Sequence, residues 1–177
     1  PAADFWALIP FYVHQENDSS CSAATLVTVL NAARRHEKLS AADEIVSHSY
    51  LTGKLTDKKY AASVGGDMVK AVAAGTRLGV TVKRLGEVLK MAAKNLGLLK
   101  PQSEIKLITI NKHTKETSRQ EFHRYLIQNE KSGDDYLLLN FTQGVITGDP
   151  EGMKGHIAAV GGYDETSKKV LILDPDR

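Results

Sequence analysis

A single cysteine, Cys21, stands in a chain of 177 residues, and that scarcity excludes an internal disulfide and any metal cage built from several cysteines. The six histidines, at 14, 36, 48, 113, 123 and 156, contain no H-E-x-x-H and no close pair at helical spacing, so no structural zinc site is expected. Gly65 and Gly66 lack both the G-x-G-x-x-G spacing and a preceding strand pattern, which excludes a dinucleotide fingerprint. The formal net charge is only +2, and no dense basic run interleaves with aromatics, so no nucleic-acid partner is expected. Lys58 and Lys59, like Lys168 and Lys169, read as ordinary solvated charges. No apolar run approaches the length of a membrane span. The chain begins at Pro1 without methionine, so a leader or tag is read as removed, and localisation stays open on this ground.

What is present suits one compact domain over residues 1–177, with 42% hydrophobic residues to build a core. The stretch from Gln15 to Ala33 organises it. Ala23, Ala24, Leu26, Val27, Val29, Leu30 and Ala33 give a helix that is apolar almost all round, the pattern of an element buried in the middle of a domain. Cys21 sits at its start, where unpaired N–H groups and the positive dipole end favour a thiolate. Six residues upstream, Gln15 carries a neutral amide able to donate to an oxyanion forming near that sulfur. A lone cysteine in a buried helix is more often an inert small hydrophobe than a nucleophile, so the other end of the chain decides the matter.

That end runs from Gly155 to Arg177. Apolar residues around Gly161 and Gly162, turn residues from Asp164 to Ser167, and the run Val170 to Leu173 predict a β-hairpin. His156 opens its first strand and Asp174 closes its second, so antiparallel pairing brings an imidazole and a carboxylate side by side. A carboxylate in that position fixes the tautomer whose free nitrogen deprotonates a thiol.

Cysteine on an early central helix, then histidine and aspartate on later paired strands, is the order of papain-like enzymes. The spacing Q-x5-C, the lead-in Phe5, Trp6, Leu8 and Tyr12, the V-L-N-A of Val29 to Ala32, G-H-x4-G-G-Y and L-x-L-D-x-x-R together resemble the phytochelatin synthase family. The likeness covers both ends and is weaker between them. It implies an α+β, papain-like fold, with the nucleophile on a central helix packed on an antiparallel sheet that carries histidine and aspartate. It also implies Cys21 as nucleophile, His156 as general base, Asp174 as its orienting carboxylate and Gln15 as oxyanion donor. Ser22, Gly155, Gly161, Gly162 and Arg177 stand as candidates for substrate binding. Such enzymes act on glutathione or a related thiol peptide, releasing glycine and holding γ-glutamylcysteine as a thioester. No cofactor is expected, metal ions entering as thiolate complexes of the substrate. The cysteine-rich region of longer enzymes is not found here, so hydrolysis is expected to outweigh transpeptidation. The resemblance suggests an exported, periplasmic site with the cytoplasm left open, and a homodimer is compatible with it.

The family usually has glycine where this chain has Ser22, and Leu85 to Lys106 reads as an extra helical segment able to cover or reshape a cleft. Two other readings keep the fold: a peptidase that trims leader peptides, as in bacteriocin processing, and a catalytically silent binding module. For the middle of the chain the pattern predicts several elements. These are a helix over 41–49 capped by Ser40, loop over 51–64, a helix from an Asp67 cap to Leu78, and a short strand at 80–84. A helix over 85–99, a strand over 104–110, a helix through Asn129 with a Ser118–Glu121 capping box, and a buried strand over 136–141 follow. His123 is read as a surface residue, and 142–154 as a mobile loop next to the base.

Overall fold

The computed structural model describes residues 2–109, 115–150 and 154–176. Its centre is the helix Cys21–Ala33 (α2), in which every residue but Ala33 is buried. A helix this apolar cannot rest on a surface; it needs partners on all sides. One side packs Leu26, Val27 and Leu30 against Val46, Leu51, Leu55, Tyr60, Val64, Leu85 and Val88 from the middle of the chain. The other packs Val29 and Ala32 against Leu8, of the N-terminal helix Ala3–Leu8 (α1), and against Ala159 of the sheet. Truncating a fully buried side chain here, such as Leu26→Ala, costs about 2–5 kcal/mol.

The sheet has three antiparallel strands: Leu138–Thr142 (β1), Gly155–Asp164 (β2) and Lys169–Leu173 (β3), with β2 in the middle. Residues 156–162 of β2 are buried, because one face meets α2 and both edges are paired. Between Val160 and Gly162 the pairing to β3 shifts by one residue, leaving Gly161 as a bulge. A Cβ on Gly161 would stand 2.9 Å from Cγ of Leu173, so this glycine is required by space, not by its backbone angles. The result is a set of helices around a small antiparallel sheet, an α+β arrangement.

Polar side chains fix the connections. Asn31 accepts from Val46 N at 2.9 Å and donates to Val46 O at 2.8 Å, copying a strand pair and holding the segment after α2 against the helix. In the loop before α2, Ser20 Oγ accepts from the backbone of Glu16 and Asn17, each at 3.0 Å, while Asn17 and Ser19 both donate to Val64 O at 3.1 Å. The four residues Asn17 to Ser20 thereby clamp the approach to Cys21 onto the end of a neighbouring helix.

The middle of the chain departs from the expected pattern. Residues 41–43 form a turn, with Ser40 and Asp43 bonded to each other's neighbourhood, and helix begins only at His48–Tyr50 (α3), running on into a π-helical turn, Leu51–Leu55. The expected loop contains the helix Lys58–Val64 (α4), capped by Asp57, whose Tyr60 is fully buried. The helix after Asp67 is Met68–Ala73 (α5), stopping short of Leu78. The expected strand at 80–84 is the start of the helix Val82–Asn95 (α6), capped by Thr81, which ends before Leu99. Residues 104–109 form no strand, and Ile110 lies outside the described residues. Ser118 lies inside the helix Lys115–Asn129 (α7), so it is no cap. The stretch after β1 is partly helical, Gln143–Thr147 (α8), and 151–153 lie outside the described residues. No helix among the described residues is long and apolar enough to cross a membrane.

Candidate active site

Cys21 is the first residue of α2, held by the buried helix behind it and by the clamped loop before it. Ser20 spends its hydroxyl on that loop, so no side chain caps the helix N–H groups beside the sulfur. Thr25, one turn further on the same face, donates to the carbonyl of Ile157 at 3.0 Å. That bond ties α2 to β2 at the residue next to His156.

His156 lies near the start of β2, its ring 5.5 Å from that of Phe141 across the strand pair and tilted 73° to it, so the aromatic edge shields the imidazole. Its Nε2 meets Oδ1 of Asp174 at 2.5 Å, just past the end of β3. The Cys21 side chain is close enough to the same ring to favour its charged form. With Nε2 committed to the carboxylate, Nδ1 is the nitrogen left for sulfur. Burial pushes the imidazole pKa down, but the bonds and charges of Cys21 and Asp174 outweigh it and raise it to about 9. The geometry favours a charged imidazole, held beside the sulfur of Cys21 and the carboxylate of Asp174.

Asp174 is itself fixed from two directions. The backbone N–H of Asp176 donates to Oδ1 at 2.9 Å, and Tyr12 donates its hydroxyl to the Asp174 carbonyl. Gln15 joins the same strap: its backbone N–H donates to Pro175 O at 2.9 Å and its Nε2 to Asp176 Oδ1 at 2.9 Å. Gln143, at the start of α8, donates to the other oxygen of Asp176 at 2.7 Å. A continuous chain of contacts thus runs from Gln15 through Asp176, Asp174 and His156 to Cys21.

The remaining sequence candidates divide. Ser22 is buried, its hydroxyl 3.2 Å from the Tyr60 hydroxyl in the core, which leaves only its backbone for a ligand. Gly155 is exposed beside His156. Gly161 and Gly162 lie five and six positions further along β2, about 16–20 Å away at the rise of a strand, where their neighbours are Leu173 and Glu130. The structure does not bring that pair to the thiol. Arg177 lies outside the described residues. His123 is half-buried, its ring 5.5 Å from Tyr163, instead of standing on the surface.

Four residues of this constellation carried no signal in the residue pattern read above: Thr25, Phe141, Gln143 and Asp176. Thr25 is one of several polar residues of α2, with Ser22, Thr28 and Asn31, so its spacing from Cys21 did not single it out. The others needed the fold. A groove of about 360 Å³ borders the clamped loop, lined by Asn17, Asp18, Gly65, Gly66, Asp67 and Met68. Among the described residues no group of three or more His, Cys, Asp or Glu side chains gathers as a metal site.

The phytochelatin synthase family model matches residues 1–177, the whole chain. Comparison with curated proteins gives no match.

Proposed function

The chain belongs to the phytochelatin synthase family, enzymes of glutathione-related γ-glutamylcysteine transfer, and from that premise we propose that it cleaves the cysteinyl–glycine bond of glutathione through a thioester on Cys21 in a papain-like fold. The observation that carries the proposal is the group Cys21, His156 and Asp174, in which a thiol and a carboxylate both act on one buried imidazole.

In this reading the thiolate of Cys21 attacks the carbonyl carbon, and the N–H groups left uncapped at the start of α2, with Gln15, stabilise the oxyanion. His156, already protonated, gives its proton to the departing glycine nitrogen. Asp174 holds the ring so that the proton sits on the nitrogen facing sulfur. Water, deprotonated by the same imidazole, then releases γ-glutamylcysteine; a thiol peptide in its place gives the extended product. Asp18, on the rim of the groove beside the clamped loop, suits the α-amino group of the γ-glutamyl end. No step needs a resident cofactor.

Intact-mass measurement of wild type and Cys21→Ala after brief exposure to glutathione, with assay of free glycine, tests it. The expected result is a γ-glutamylcysteinyl adduct on wild type alone, with glycine released. Rapid alkylation of Cys21 without adduct or glycine would overturn the substrate assignment, and a sluggish thiol would overturn the enzymatic reading altogether.

A further inference from the structure

Asp176 is an exposed carboxylate two residues beyond the one that orients the imidazole, yet both its oxygens receive side-chain amides. One is Nε2 of Gln15 at 2.9 Å and the other Nε2 of Gln143 at 2.7 Å. Its own backbone N–H donates to Oδ1 of Asp174. We propose that Asp176 is a positioning residue that locks the Gln15 side chain with its N–H groups, and not its oxygen, turned to the reacting centre.

The argument rests on which way an amide can point. An amide side chain has two nearly isosteric orientations, so an unassisted glutamine presents oxygen as readily as nitrogen. Oxygen turned toward a forming oxyanion would repel it. In this structure Oε1 of Gln15 is buried with no partner, so nothing on that side of the amide fixes which way it points. Asp176 fixes it, because the flipped amide would set Oε1 against a carboxylate, whereas Nε2 makes a charge-assisted bond. One N–H of Nε2 is spent on Asp176 and the second remains for the oxyanion. Gln143 anchors the other carboxylate oxygen from α8, so Asp176 cannot swing away. The strap Asp174 to Asp176 is short and doubly tied, by Tyr12 to the Asp174 carbonyl and by Gln15 N–H to the Pro175 carbonyl.

This inference rests on the oxyanion role of Gln15 in the proposed function, but its test need not use glutathione. Two reactions of Cys21 separate the roles. Acylation by p-nitrophenyl acetate passes through a tetrahedral oxyanion and expels p-nitrophenolate; alkylation by iodoacetamide is a displacement at carbon with no oxyanion. Asp176→Ala is expected to slow ester acylation by at least about tenfold, within the range that loss of one oxyanion donor produces. Its alkylation rate, and the pH dependence of that rate, should match wild type. Asp176→Asn, which keeps an acceptor oxygen for Gln15, should recover most of the loss. In a Gln15→Ala background Asp176→Ala should have no further effect.

Equal slowing of both reactions would overturn the proposal, since Asp176 would then act on the thiolate through Asp174. So would losses that multiply in the double variant, unchanged acylation in Asp176→Ala, or a wild-type thiol that alkylates but is not acylated. Wild-type protein that is acylated by the ester yet releases no glycine from glutathione would sink the substrate assignment and leave this inference standing.

Discussion

Thr25 donates its hydroxyl to the carbonyl of Ile157 at 3.0 Å, and this one bond sets the position of a helix relative to a strand at the point where each presents its reactive group. Cys21 lies one turn before Thr25, and His156 one residue before Ile157. Apolar packing of α2 on β2 is non-directional and would tolerate a slide; a buried hydrogen bond is directional and does not.

Thr25→Val keeps the shape of the side chain and removes the donor. The expected loss is about 1–3 kcal/mol, because a buried carbonyl loses its partner. Chemical denaturation measures it. The alkylation rate of Cys21 by iodoacetamide should fall as well, since the thiol and imidazole lose their fixed spacing. An unchanged rate together with unchanged stability would show that packing alone sets the register.

Gly161 tests a different idea, that a residue in a family-like motif serves packing and not substrate. Its Cβ position lies 2.9 Å from Cγ of Leu173, the residue before Asp174. Gly161→Ala is expected to cost about 1–3 kcal/mol from overpacking. It should also move Asp174 and slow the chemistry without changing the KM for glutathione. A raised KM at full kcat would instead assign Gly161 to substrate binding.

The two ends of the chain were legible in the sequence because each carries a strong local pattern. The apolar run behind Cys21 has no explanation except a central helix, and the turn between Tyr163 and Val170 leaves little choice but a hairpin. The middle was not, for reasons visible residue by residue. In α4 the charges of Lys58 and Lys59 hide two anchors, Tyr60 and Val64, which do the burying. At Thr81 a β-branched residue among valines reads as strand, while its hydroxyl caps α6 by accepting from Arg84 N at 3.2 Å. Ser118 and Glu121 have the spacing of a capping box, but the helix had already begun. The role of Gln15 as donor was suggested by its distance from Cys21, whereas its acceptor, Asp176, is met only after the chain has closed on itself.

The imidazole of His156 should titrate near pH 9, against an ordinary value of 6.5. NMR of the ring protons checks this directly. Cys21→Ala and Asp174→Asn should each lower the midpoint, because each removes a group that favours the charged ring. The shift is also a stability statement. A group whose pKa is raised on folding contributes stability fully below its unfolded value, near 6.5, and loses it as pH rises through 9. Melting temperature should therefore decline over that window in wild type, and less in either variant.

Asp4 adds a second dependence on pH, remote from the thiol. It is fully buried on α1, where Oδ2 contacts Nδ2 of Asn129, while Oδ1 of Asp4 and Oδ1 of Asn129 both lack partners. Burial, then the charges of Asp135 and Glu130, raise its pKa from 3.8 to about 8, against the opposing pull of Arg35. A proton on Asp4 also supplies a donor to a site rich in acceptors. The folded protein holds this proton between about pH 4 and pH 8 and the unfolded chain does not, so stability from this group falls as pH rises across that interval and is level above it. Asp4→Asn mimics the protonated form at every pH. Its melting temperature should match wild type near pH 4 and exceed it at pH 8, by about 2–4 °C for each kcal/mol released. Because His156 is untouched, the decline between pH 6.5 and 9 that it causes should survive in the variant. A difference between the two proteins that does not vary with pH would mean that Asp4 is ionised in the fold and that Asn129 and Arg35 suffice to hold its charge.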